Sequence, residues 1–205
     1  MKKMNKITGI VLCGGKSCRF GTDKGLCTLA GKLMISYPLD AMERLCDEII
    51  ISSNDGRYER LGYKVVPDEV KNTGPIGGIY TALKHSVNTD NLIVSCDMPF
   101  VTERLLRYIF ENKNGALVAA AYSGNYIEPL CSYFHKDSLA VIERMIKAGD
   151  YKLTRLQDKL DFKKIIIDER LDFYRDYLFL NVNTGKDYEK ASAIIQESNR
   201  KKHDL

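Results

Sequence analysis

Strand-length apolar runs alternate with stretches of helical period from residue 7 to residue 195, and that alternation narrows the fold of this chain most. Ile7-Thr8-Gly9-Ile10-Val11-Leu12-Cys13 has the pattern of a buried strand, and it ends on Gly14-Gly15. Met34 to Cys46 reads as a helix and Glu48 to Ser52 as the next strand. Tyr63 to Val66 is a short strand stopped by Pro67. A helix then starts at Gly74-Pro75, where proline costs no helical N–H bond, and its Ile76, Ile79, Tyr80 and Leu83 make one apolar face. Asn91 to Cys96 is a further buried strand, followed by a helix capped by Thr102. Later strands are expected at Ala116 to Tyr122, Ile127 to Phe134, Lys163 to Ile167 and Leu178 to Val182. Thr184 with Asp187 opens a last helix whose face is Tyr188, Ala191 and Ile195. Such an order predicts a Rossmann-like three-layer α/β/α sandwich with a mostly parallel sheet.

Bulk properties exclude several function classes. At 205 residues the chain fits one domain, taken as residues 1–198 with a solvated tail at 199–205. A net charge of +4 spread along the chain argues against nucleic acid, whose binders gather their charge on one stripe, and suits small anionic ligands. No apolar stretch approaches the roughly 20 residues needed to span a bilayer, and Ile7 to Cys13 is too short for a signal segment, so a cytoplasmic protein is expected. Six cysteines without a C-x-x-C pair, and three scattered histidines, argue against zinc and disulfides.

The chemistry concentrates in Leu12-Cys13-Gly14-Gly15-Lys16-Ser17-Cys18-Arg19-Phe20-Gly21-Thr22-Asp23-Lys24. Glycines after a buried strand let consecutive backbone N–H groups face an anion. Arg19 can fork onto phosphate oxygens, and Lys24 supplies a point charge. Together they read as a triphosphate-binding loop. Gly15-Lys16-Ser17 mimics the end of a P-loop, but Ile10 stands where that motif needs glycine. The dinucleotide fingerprint G-x-G-x-x-G fails as well, because residue 16 is Lys, which disfavours an oxidoreductase. Asp97 at a strand end suits either Mg²⁺ or backbone N–H groups, and Asp68 after Pro67 reads first as a turn residue.

The spacing Leu12-x-Gly14-Gly15-x-x-x-Arg19-x-Gly21-x-x-Lys24 resembles the signature of nucleotidyltransferases that activate sugars and molybdopterin. With Val66-Pro67-Asp68, Gly74-Pro75-Ile76-Gly77-Gly78, Cys96-Asp97-Met98-Pro99 and Asn181-Val182-Asn183-Thr184, the chain resembles the molybdenum cofactor guanylyltransferases in particular. That resemblance implies a fold of the nucleotide-diphospho-sugar transferase type and transfer of GMP from GTP to molybdenum-molybdopterin, with release of pyrophosphate. It implies that Leu12, Cys13, Gly14, Gly15, Lys24, Asp68 and Asp97 bind nucleotide. Leu12 and Cys13 would read the base through main-chain groups. Arg19 and Lys24 would stabilise developing charge, Asp97 would hold Mg²⁺, and Asn181 and Asn183 would face the pterin. On a strand both asparagines would share one face, with Asn181 the better candidate and Thr184 a cap. Transient contacts with molybdenum-insertion or acceptor proteins follow as an expectation.

The chain departs from the family pattern at Cys13, where alanine is common, at Phe20, where methionine is common, and at Ser52, where asparagine is expected and Asn54 follows two residues on. Rival readings are a molybdopterin cytidylyltransferase, a sugar-1-phosphate nucleotidyltransferase and a non-catalytic GTP-binding module. Gly14 and the Gly-Pro-x-x-Gly block favour guanine over cytosine. The presence of Arg19, Lys24 and Asp97 favours catalysis over binding alone.

Overall fold

The structure is a computed structural model that describes residues 6–14 and 23–203. Along the chain come β1 (Ile7–Leu12), β2 (Thr28–Leu29), β3 (Lys32–Leu33), α1 (Ser36–Glu43), β4 (Glu48–Ser52), β5 (Lys64–Val66) and α2 (Pro75–His85). They are followed by β6 (Asp90–Ser95), α3 (Glu103–Glu111), β7 (Val118–Ser123), β8 (Tyr126–His135), α4 (Leu139–Lys147), β9 (Phe162–Ile166) and α5 (Gly185–His203). Seven strands form one sheet in the order β5-β4-β1-β6-β8-β7-β9, and β2 and β3 form a small hairpin beside it. β8 runs antiparallel to both of its neighbours, and every other pairing in the large sheet is parallel.

Alternation along β1 builds both faces. Ile7 and Val11 pack with Leu39 and Met42 of α1 and with Leu105, Leu106 and Ile109 of α3. Ile10 and Leu12 pack on the other side with Ile76, Ile79 and Leu83 of α2 and Ile142 and Met145 of α4. A strand covered on both faces is apolar nearly throughout, which is why Ile7 to Leu12 shows no polar alternation. Its one polar side chain, Thr8, is buried and donates to Glu48 Oε2 at 2.7 Å. Each such fully buried side chain contributes about 1.5–3 kcal/mol of transfer free energy. The result is the expected three-layer sandwich.

Most expected elements appear within two residues of their predicted bounds, including the caps. Thr102 accepts from the Leu105 N–H at 3.3 Å, and Thr184 and Asp187 cap each other reciprocally at 3.2 and 2.7 Å. Tyr188, Ala191 and Ile195 do form the inner face of α5. That helix continues to His203, so the backbone of the expected tail is helical as far as that residue. The expected strand at Leu178–Val182 is a correction. Leu178 and Leu180 donate to Arg175 and Tyr177 in consecutive turns, and Val182 donates to the Asp97 carbonyl at 2.9 Å. Leu178 and Val182 are buried, but in different clusters, so this apolar run is covered without joining a ladder. No sequence expectation covers α4, although Leu139, Ile142 and Met145 fall at helical spacing.

The entry into α2 is the most constrained turn. Gly74 takes φ 65° and ψ −154°, a region closed to other residues, and Pro75 then starts the helix. Two residues later the chain packs back on itself. A Cβ on Gly77 would stand 2.9 Å from the Val70 carbonyl and press against the Thr73 hydroxyl. Gly77→Ala is therefore expected to cost about 1–3 kcal/mol as an overpacked site. Thermal unfolding checks this, and a melting temperature equal to the unsubstituted protein's would count against it.

Candidate active site

Parallel pairing puts the ends of three strands in one row: Leu12 stands opposite Ser52 on one side and Ser95 on the other. Ligands of open α/β sheets bind beyond this carboxyl edge. Here the edge opens into a cleft of about 320 Å³ lined by Leu12, Cys13, Gly14, Ser52, Asn54 and Asp68, with Gly74, Pro75, Gly78, Ser95 and Leu130 closing it. Leu130 comes from the β8 segment that passes the last β6 pairing at Cys131, where the β7 register shifts. Gly78 leaves room for the opposite wall, since a Cβ there would lie 2.8 Å from Ser52 Oγ and 3.3 Å from Asp68 Oδ1.

Asp68 is held at this wall rather than turned away. Its carboxylate accepts from Ser52 Oγ at 3.5 Å and Asn54 Nδ2 at 3.3 Å, and its N–H donates to Asn54 Oδ1 at 3.0 Å. Ser52 and Asn54, the pair that departs from the family pattern, thus converge on one carboxylate. The main-chain groups expected to read the base are partly engaged already. Cys13 N–H donates to the Ser52 carbonyl at 2.8 Å, and the Leu12 carbonyl accepts from Cys96 N–H at 3.0 Å.

A second group forms beside Ser95. Ser95 Oγ donates to Asp97 Oδ1 at 2.6 Å, and Lys24 Nζ lies 3.3 Å from Asp97 Oδ2. The same ammonium donates to Asn183 Oδ1. Residues from three distant parts of the chain therefore meet at one point. All three stand out in the sequence, where a strand would put Asn181 ahead of Asn183. With no strand there, the Asn181 amide donates to the nearby Phe179 carbonyl at 3.1 Å, and Asn183 meets the lysine.

Residues 9–164 match the family model of the MobA-like NTP transferase domain. Molybdenum cofactor guanylyltransferase of Syntrophotalea carbinolica is 31% identical over 187 residues, covering 89% of each chain. This chain belongs to the molybdenum cofactor guanylyltransferase family. It is accordingly an enzyme, a nucleotidyltransferase. The crystal structure of molybdopterin-guanine dinucleotide biosynthesis protein A from Archaeoglobus fulgidus is 26% identical, covers 93% of this chain and 99% of its own, and superposes with a TM-score of 0.79. A manganese complex of Rv0371c from Mycobacterium tuberculosis shares the fold at 19% identity, with a TM-score of 0.69 over 92% of this chain and 99% of that one.

For a guanylyltransferase-family site, the donor set suits a hard divalent cation. Among the described residues no cluster of three or more acidic, histidine or cysteine ligands forms a protein-only cage. Mg²⁺ is usually held by one or two carboxylates, with phosphate oxygens and waters completing the octahedron. Asp97 offers one such carboxylate at the cleft edge, oriented by the Ser95 hydroxyl and with lone pairs left over on both oxygens. Gly15 and Arg19 lie outside the described residues, and with them the part of the loop expected to cradle the triphosphate. Gly14 is described, and a Cβ there would meet nothing within 4 Å among the described residues.

Sequence reasoning missed Tyr58, Ser95, Asn54 as a partner of Asp68, and Leu130. Ser95 could have been found, since Ser-x-Asp on a strand places the two side chains on one face. Tyr58 carried no such signal. Several of the cysteines act as small buried hydrophobes. Cys13, Cys96 and Cys131 are buried, and burial pushes the Cys46 thiol up to about 12.

Proposed function

We propose that this chain transfers GMP from GTP to the terminal phosphate of molybdenum-bearing molybdopterin, releasing pyrophosphate and forming the guanine dinucleotide cofactor. The observation that carries the reading is the meeting of Lys24 with Asp97 and Asn183 beside a cleft already walled by Gly14 and Asp68. Two anions must approach each other in this reaction, so charge neutralisation and in-line positioning matter more than a base. The attacking phosphate is already ionised at neutral pH, so no histidine is required. Lys24 stabilises the charge that develops on the phosphates, and the loop from Gly14 through Gly15 to Arg19 cradles the triphosphate. Asp97 would hold Mg²⁺, which when bound supplies further neutralisation of the phosphate oxygens. Asn183 and Asn181 lie toward the pterin-bearing substrate.

Base selection falls to the opposite wall. Guanine presents N–H donors at N1 and N2, and Asp68 presents two carboxylate acceptors in the cleft. A wrong base leaves buried polar groups unpaired, which rejects it strongly. GTP is therefore expected to bind about 10²-fold more tightly than CTP or ATP, well inside the ~10⁴–10⁵-fold that a site built to hydrogen-bond its substrate can reach. Competition binding at constant Mg²⁺ tests the preference. Equal or tighter CTP binding would remove the guanylyl assignment and leave the wider transferase reading. Pyrophosphate measured with GTP, molybdopterin and Mg²⁺ tests catalysis itself. The reading carries with it a cytoplasmic setting and transient contacts with molybdenum-insertion or acceptor proteins. No helix among the described residues is long and apolar enough to cross a membrane.

A further inference from the structure

Lys24 is held from below by a residue of a different crossover. Tyr58 lies in the short helical segment Gly56–Leu61 between β4 and β5, and its side chain is fully buried. Its hydroxyl donates to Asp23 Oδ1, the oxygen that also accepts from Gly25 N–H at 3.1 Å. The next contact is with the ring. A Cβ on Gly25 would collide with the Tyr58 hydroxyl and stand 3.3 Å from the ring carbon that bears it. Both chain neighbours of Lys24 are thus seated on the same phenol, Asp23 by a hydrogen bond and Gly25 by backbone contact. Burial, with Cys13, Cys96 and Asp23 alongside, pushes the phenol pKa far up, so the hydroxyl remains a donor throughout the working range.

The surroundings explain why such a support is needed. Lys24 begins a single turn, Lys24–Leu26, whose further backbone ties are the Leu26 N–H to Asp23 carbonyl bond at 3.1 Å, the Cys27 N–H to Lys24 carbonyl bond at 3.0 Å and the Ile35 N–H to Gly25 carbonyl bond at 3.1 Å. One short turn cannot fix a long, flexible side chain, because a lone helical turn is costly to form and lysine has much rotamer entropy to lose. A buried aromatic ring set in the core at Cys13 and Cys96 can anchor it.

We propose that Tyr58 is a positioning residue for nucleotidyl transfer: its hydroxyl, through Asp23, sets the Lys24 ammonium at the Asp97–Asn183 meeting point. The inference rests on the reading of Lys24 as the residue that stabilises developing phosphate charge. It makes the β4–β5 crossover part of the active site although Tyr58 does not line the cleft.

A double-substitution cycle on the full chain tests it, with pyrophosphate release from GTP, molybdopterin and Mg²⁺ as the readout. Tyr58→Phe keeps the ring and removes only the hydroxyl. It is expected to lower kcat about tenfold, part of the ~10²-fold that a 1 Å misplacement brings, with the KM for GTP little changed. In a Lys24→Ala background the same substitution should lower kcat no further, because its effect passes through the lysine. An equal loss in both backgrounds, or no loss in the parent, overturns the proposal. A merely structural tyrosine would give the former. Asp23→Ala removes the bond from the other side and leaves the core ring in place, so it carries the test if Tyr58→Phe does not fold, with the same pattern expected. Should Lys24→Ala itself leave kcat unchanged, the catalytic reading fails first, and the two failures are told apart.

Discussion

Asp97→Asn is expected to lower turnover by about 10²–10³-fold, the loss typical of removing one preorganised electrostatic group from a transition state. The substitution keeps the shape of the side chain. Its amide oxygen still accepts from Ser95, and the Asp97 carbonyl still accepts from Val182 N–H, since that bond is made by the backbone. The fold is therefore preserved while the negative charge is lost. Without that charge Asn183 is the remaining side-chain partner of Lys24 among the described residues, and the proposed cation loses the Asp97 carboxylate. Calorimetric titration of Mg²⁺ in the presence of GTP, beside thermal unfolding, checks both halves. Unchanged Mg²⁺ affinity would show that Asp97 is not the ligand.

Lys24→Ala is expected to cost about 1.5–3 kcal/mol of transition-state stabilisation, the range of a hydrogen bond to a charged group. That corresponds to a loss of about ten- to a hundredfold in turnover. Its effect on stability is expected to be small, about 0–1 kcal/mol, because the Lys24–Asp97 pair is partly solvated, with 24% and 13% of the two side chains exposed. Turnover and melting temperature measured on one preparation separate the two effects. Unchanged turnover removes the assignment. A large fall in melting temperature with unchanged specific activity would make the lysine structural.

The two substitutions act on residues 73 apart in sequence, and that distance marks where legibility ended. Each residue was recognisable alone: Lys24 by its spacing from Gly14 and Arg19, Asp97 by its place after a buried strand, Asn183 by the Asn-x-Asn-Thr run. Their meeting was not. Where a chain carries three polar residues on three loops, the packing of those loops against the sheet edge decides whether they converge. That packing is a property of the tertiary fold.

Period and punctuation are local, so the sequence alone determined β1, β4, β5 and β6, the start of α2 at Gly74-Pro75, and the caps at Thr102 and Thr184, but not the short hairpin of β2 and β3. Local burial pattern dictates these because each depends on neighbours within a turn or two. Tertiary structure decided the rest. It inserted β8 antiparallel between β6 and β7, which no alternation of apolar runs can reveal. It also buried Leu178 and Val182 in turns instead of a strand. An apolar run states that it must leave water, and only the packed neighbours settle whether it finds a ladder. Tyr58 is the plainest case. Its sequence context is an exposed, charged stretch, Asp55 to Arg60, and its burial exists only because the β4–β5 crossover packs against the turn that carries Lys24. Hydrogen-bond partners 35 residues apart are chosen by topology, and no local propensity encodes that choice.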